Sequence, residues 1–143
     1  MISSAACWSL YGEVLAREYS SPALKWTHRL SVDTYAIQHP GGTDKQSIQS
    51  VGLHLARLYL TIERNLPPDY INRVAVKLGA RKRQFTWLEP PDDRGELTVA
   101  DVAQARDPLA HRDRVRDWAR STFQAWHRHH ALIAAWTQGI EDA

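Results

Sequence analysis

The run from Ser21 to Gly42 constrains the fold more than any other part of the chain, because both ends of a helix are spelled out in it. Ser21 offers a hydroxyl to the first free N–H groups, and Pro22 stands where no N–H is needed. His39, Pro40, Gly41 and Gly42 form an equally firm stop. Between them lies WTHRLSVDTYAIQHP, Trp26 to Pro40, with a helical period. At about 100° per residue, Leu24, His28, Val32, Tyr35 and His39 fall within roughly one quadrant, while Asp33 points the other way with Arg29 and Ile37. Two imidazoles thus occupy the apolar face, where a plain bundle would carry leucine. His28 and His39 are ~16 Å apart along a straight helix, too far to share one metal ion.

The neighbouring segments have the same period. Residues 7–19 place Cys7, Leu10, Tyr11 and Val14 on one face, with Glu13 on its flank. Thr43 and Gln46 have capping-box spacing before a third helix that runs to about Asn65. Its main stripe is Ile48, Val51, Leu55, Leu58, Tyr59 and Ile62, with Leu53 and Leu60 on a second, and His54 borders the main one. A helix apolar on two sides belongs at the centre of a bundle. Pro67, Pro68 and Asp69 open a fourth helix that ends at Gly79. In the loop from Phe85 to Arg94, Phe85, Trp87 and Leu88 are expected to plug into the core. Thr98 and Asp101 cap a short helix or turn, and Asp107-Pro108 starts a last, long helix to about residue 137, stopped by Gly139. On that helix His129 faces the core, His130 its edge and His127 solvent. Period-two strands are all but absent. The expectation is one all-α domain over residues 1–143, a bundle of five to six helices. The first three are antiparallel, with a long C-terminal helix packed on them.

Composition narrows the function classes. A chain of 143 residues is long enough for a core without staples. Eighteen Lys and Arg against sixteen Asp and Glu leave it near neutral, which argues against nucleic acid. The three-residue basic run Arg81, Lys82 and Arg83 reads as a solvated face or helix-end charge, with phosphate contact the minority reading. A single cysteine, Cys7, cannot form an internal disulfide and fits a reducing cytoplasm. No apolar run approaches ~18 residues and no signal pattern opens the chain, so no membrane span is expected. Six tryptophans point to a core of large rings, or to a ring-lined pocket.

Short connections make successive helices antiparallel, which permits a rough count of levels. A first turn at Ser20-Ser21 sets Glu13 opposite His28. A second at Gly41-Gly42 sets His28 opposite about Leu55, next to His54. Glu13, His28 and His54 would then share a layer, which His129 or His130 could complete. Imidazole nitrogen and carboxylate oxygen from different helices are how bundles hold a metal, and this set suits zinc, iron or manganese. Three such ligands leave a position open for activated water, hence a hydrolytic or small-molecule-modifying activity beneath a tryptophan-lined pocket.

The competing reading is a non-enzymatic interaction or regulatory module. Its core histidines would satisfy carboxylates or backbone carbonyls, with Glu13 and His28 as a buried ion pair fixing helix register. His28 and Glu13 could also act as a metal-free acid–base pair, although no nucleophile is positioned for them. His39 is expected to be structural, a cation at the negative end of its helix. Cys7, level with about Thr34, is expected in the core. Asp33, an acid inside a central helix, needs a partner on another helix. A small molecule or a protein is the expected partner. Trp8, Trp26 and the outer side of the last helix are candidate surfaces for a homodimer.

The runs CWSLYGEVLAREY, HRLSVDTYAIQHPGG, QSIQSVGLHLARL, FTWLEPP and GELTVADV together resemble an uncharacterised bacterial family of small helical proteins. The resemblance spans nearly the whole chain and is most specific in HRLSVDTYAIQHPG. It implies a genuine helical domain and carries no assigned activity. It also implies a Cys-Pro-x-Cys-like stretch ahead of the first helix, a metal knuckle that the opening MISSAACW lacks.

Overall fold

A computed structural model describes residues 4–143, except for the side chain of Lys82; the start of the chain, at residues 1–3, lies outside them. The described residues form seven α-helices and no strand, so the all-α class holds. Helix α1 (Ala5–Tyr19) is capped by the Ser4 hydroxyl, which accepts from the N–H of Cys7. One 3-10 turn (Pro22–Leu24) leads into α2 (Lys25–Gln38). Ser21 precedes that turn but makes no side-chain cap. Helix α3 (Lys45–Leu58) is capped by Asp44, one residue later than the Thr43 spacing suggested. It runs on as a π-helical turn (Tyr59–Glu63), with Thr61 bonding back to the carbonyl of Arg57. Asn65, at φ 48°, then ends it, an αL role that asparagine tolerates.

Helix α4 (Pro68–Ala80) begins after Pro67, and α5 (Val99–Ala103) carries the expected capping box of Thr98 and Asp101. The expected long last helix is two. Helix α6 (Pro108–Ala125) gives way at Trp126 to a 3-10 turn (His127–His129), and α7 (His130–Glu141) follows, running past Gly139. The break has a local cause. The carbonyl of Phe123 accepts from the N–H of Trp126 and the ring Nε2 of His130, whose imidazole stacks on Phe123 at 3.9 Å. Carbonyl capacity that would continue the α-ladder is used by a turn and a side chain. The bend lets α6 pack on α2 and α5 while α7 packs on α3 and α4.

Helix α2 is the hub, touching α1, α3 and α6. It runs antiparallel to α1, since Tyr35 late in α2 stacks on Tyr11 early in α1, at 3.9 Å and 2° between planes. Two apolar clusters flank it. One joins Val14 of α1, Val99 and Val102 of α5, and Val115 and Trp118 of α6. The other joins Leu55 and Leu58 of α3, Val74 and Leu78 of α4, Ile133 of α7, and Phe123 and Trp126. Each such fully buried large side chain contributes ~1.5–3 kcal/mol. Phe85 and Leu88 plug into the second cluster as expected, Phe85 lying so close over Gly52 that a Cβ there would meet its ring at 2.7 Å. Trp87 does not: on the opposite side of the loop, it stays 48% exposed. No helix among the described residues is long and apolar enough to cross a membrane.

Candidate functional site

The polar residues that α2 carries inward divide between its two flanks. On the first, Tyr11, Val14 and Glu18 recur along the inner face of α1, so the stripe that buries a ring and a valine also buries a carboxylate. The Glu18 side chain is fully enclosed. It accepts from Nδ1 of His28 at 3.1 Å, from Nε2 of His111 at 2.8 Å and from the hydroxyl of Ser31. His111 lies one α6 turn before Val115 and is fully buried. Arg17 completes the group, donating to the carbonyls of Val102, Ala103 and Ala105 at the end of α5. Its Nη1 also lies 3.3 Å from Nδ1 of His111. A guanidinium only donates, so that Nδ1 accepts and the ring proton of His111 sits on Nε2, facing Glu18. This chain of donors ties α1, α2, α5 and α6 together.

On the second flank, Asp33 is 2% exposed. It accepts from Nδ1 of His54 at 2.7 Å and from Nε of Arg57 at 3.3 Å, and it forms an ion pair with Arg29 at 3.3 Å. Arg57 also donates to Asn72 of α4 at 2.9 Å. Burial pulls the Arg57 guanidinium below its usual range, and Asp33 pulls it back up. Asp33 thus finds its partners on α3, and through Arg57 the cluster reaches α4.

The predicted layer of Glu13, His28, His54 and His129 is not brought together. Glu13 is exposed, and Glu18 takes the place expected of it beside His28. The reason is the 3-10 turn at Pro22–Leu24, which lengthens the first connection and shifts the register by more than a helical turn. His28 and Asp33, the partner of His54, are separated by about 140° around α2, so the two histidines serve opposite flanks. His129 bonds to the carbonyl of Glu89 at 2.9 Å and to neither carboxylate, and His127 is exposed. Among the described residues, no group of three or more His, Cys, Asp or Glu has an arrangement that could hold a metal ion. Cys7 is half-buried at the edge of the first apolar cluster, and Arg81 and Arg83 are exposed. Glu18 and His111 were legible as polar residues on apolar stripes and escaped notice.

His39 differs from the cation expected of it. Its Nδ1 donates to the carbonyl of Tyr35 at 3.1 Å, and its ring stacks on that tyrosine at 4.1 Å. Burial, with the nearby Arg94 guanidinium, pushes its pKa below 6.5, so the ring is neutral at pH 7. It lines a cavity of about 250 Å³ in the corner between α2 and α3, together with Gln46, Ser47 and Ser50. Burial and the Glu18 carboxylate push another group of this end of the bundle, the Tyr11 phenol, up to about 12.

The chain matches the family of unknown function DUF5946 over residues 1–127, and it belongs to that family. Neither the curated proteins nor the solved structures provide a match to it.

Proposed function

We propose that this chain acts by binding rather than by bond-breaking chemistry, as a helical interaction module whose core histidines are structural. One observation carries the reading. The histidines best placed to be ligands each close a separate contact of the fold: His28 on Glu18 and His54 on Asp33 join helices, and His129 joins the turn before α7 to the loop at the carbonyl of Glu89. A buried carboxylate needs several donors, and here the imidazoles help supply them. The test is elemental analysis of untagged protein purified without chelator, combined with unfolding of His28→Ala and His54→Ala. The reading expects no stoichiometric metal and a loss of stability in both variants. One equivalent of metal, lost in either variant with the fold retained, would sink it.

A specific observation keeps a metal-dependent reading as second choice. His28 and His54 each give Nδ1 to a carboxylate, leaving Nε2 as the remaining nitrogen, the arrangement that orients metal-bound imidazoles. Zinc, iron or manganese on such a nitrogen would supply an activated water. The further ligands would have to come from beyond either cluster. The same elemental analysis decides between the two readings.

A further inference from the structure

The cavity between α2 and α3 gathers polar groups that the fold itself does not use. His39 spends Nδ1 on the carbonyl of Tyr35 and one ring face on the Tyr35 phenol, so the imidazole is fixed at two points, and Nε2 has no partner among the described residues. The Ser50 hydroxyl and the Gln46 side-chain amide line the same cavity and make no hydrogen bond among the described residues. The Ser47 hydroxyl donates to Asp44 at 2.7 Å, leaving its oxygen to accept. Gly41 closes the wall: a Cβ there would meet the Ser47 oxygen at 2.3 Å, so a larger residue would turn that hydroxyl away. Ala36 and Val51 supply an apolar floor.

The lining carries no formal charge while His39 is neutral. The nearest charges, Asp44 bonded to Ser47 and Arg94 near His39, are of opposite sign, so a charged ligand would shed hydration for one attraction and one repulsion, which is costly. A neutral ligand sheds less and can satisfy the idle groups. We propose that this cavity binds a small uncharged molecule that donates an O–H or N–H to Nε2 of His39, accepts from Ser50 or Gln46, and lays carbon on Ala36 and Val51. Polyols and simple amides share that chemistry. The proposal rests on the binding reading above, but its test does not involve metal, so the two can fail separately.

The experiment is an NMR titration of the isotope-labelled full chain, following the imidazole of His39 and the amides of residues 46–51. The neutral probes are glucose and N-methylacetamide; the charged ones, of similar or smaller size, are acetate and methylammonium. At least one neutral probe is expected to give saturable shifts, with Kd about tenfold or more below that of either charged probe, a difference of about 1.4 kcal/mol. Saturation by glucose alone assigns the site to polyols, and by N-methylacetamide alone to amides. Ser50→Ala, a half-buried change that leaves the core untouched, should weaken binding at least about tenfold, and His39→Gln should do the same. No saturation by a neutral probe up to about 100 mM, equal binding of charged probes, or undiminished binding by folded Ser50→Ala would overturn the proposal.

Discussion

Glu18 and Asp33 lie on opposite flanks of the same helix and are buried to almost the same degree, yet they are compensated differently. Asp33 meets two guanidiniums and one imidazole. Glu18 meets two imidazoles and a hydroxyl, and its nearest guanidinium, Arg17, reaches it only through His111. A guanidinium stays charged and cannot change its donors, whereas an imidazole can exchange which nitrogen carries the proton. The lesson is that permanent cations leave the histidine of the Asp33 cluster free to adapt. In the Glu18 cluster the one histidine that Arg17 touches is locked.

The sharpest way to break this comparison is to exchange each carboxylate for its amide. In Glu18→Gln the locked His111 and the Ser31 hydroxyl claim the remaining oxygen, so the new NH₂ faces His28, which moves its proton to Nε2 and accepts. That change should cost only ~1–2 kcal/mol, the scale of a weakened hydrogen bond. In Asp33→Asn the remaining oxygen can keep Arg57 and His54 can turn acceptor in the same way, but buried Arg57 loses its counter-charge and Arg29 faces the new NH₂. The loss should approach the ~3–5 kcal/mol of a broken buried pair. Denaturant midpoints of the two variants measure the difference. Equal losses would mean that the buried guanidinium is not what distinguishes the two flanks.

Within the Glu18 cluster the same logic ranks the two imidazoles. His111→Ala leaves a void in the core, a Glu18 Oε2 with only the Ser31 hydroxyl on it, and an Arg17 short of one acceptor. It should cost about 3 kcal/mol. The side chain of His28 is 25% exposed, so water can replace its bond to Glu18, and His28→Ala should cost nearer to 1 kcal/mol. If His28 proves the more costly, the cluster is centred on the α1–α2 contact and not on α6.

Alkaline titration gives a smaller effect with a definite sign. The Tyr11 phenol, at about 12 in the folded chain, lies above the ordinary value of 10, so its share of stability is complete below pH 10 and is lost as pH rises toward 12. Absorbance of the phenolate should show Tyr11 titrating late, and Tyr70, which donates to Glu141, is raised as well, so Tyr11→Phe identifies the Tyr11 step. In Glu18→Gln, if it folds, that midpoint should fall, because burial would remain and the carboxylate charge would not. An unmoved midpoint would show that burial alone holds Tyr11.

How much of this was legible follows from particular residues. Helix existence came through because caps and stripes are local: Thr98 with Asp101, and Asp107 with Pro108, each act within three residues, whereas the caps Ser4 and Asp44 did not come through. The break at Trp126 did not, because HRHH differs little from its surroundings in pattern, and what ends α6 is His130 reaching back to the carbonyl of Phe123. The candidate site depended on counting levels across a turn. A single 3-10 turn at Pro22–Leu24 was enough to exchange Glu13 for Glu18. Periodicity could still have named Glu18 and His111, since each interrupts a buried stripe. What periodicity cannot say is which imidazole faces which carboxylate, because that depends on packing angles between helices far apart in sequence.

His39 extends the comparison to a histidine whose acceptor is a carbonyl in place of a carboxylate, and there the expected effect is the smallest. Burial lowers its folded-state pKa below the 6.5 of the unfolded chain. Above pH 6.5 both states are neutral at this position and it contributes no pH dependence. As pH falls below 6.5 the unfolded chain takes up a proton that the folded chain refuses, so stability declines until the folded-state value is passed. In His39→Gln the amide N–H can still donate to the carbonyl of Tyr35, but the titration is gone. Unfolding free energies of the two proteins between pH 7 and 5 should therefore draw together on the acid side, the variant losing less. If the variant keeps the full wild-type slope, the acid sensitivity belongs to carboxylates held below their usual range, such as Asp44 and Glu141, and burial of His39 is not what sets it.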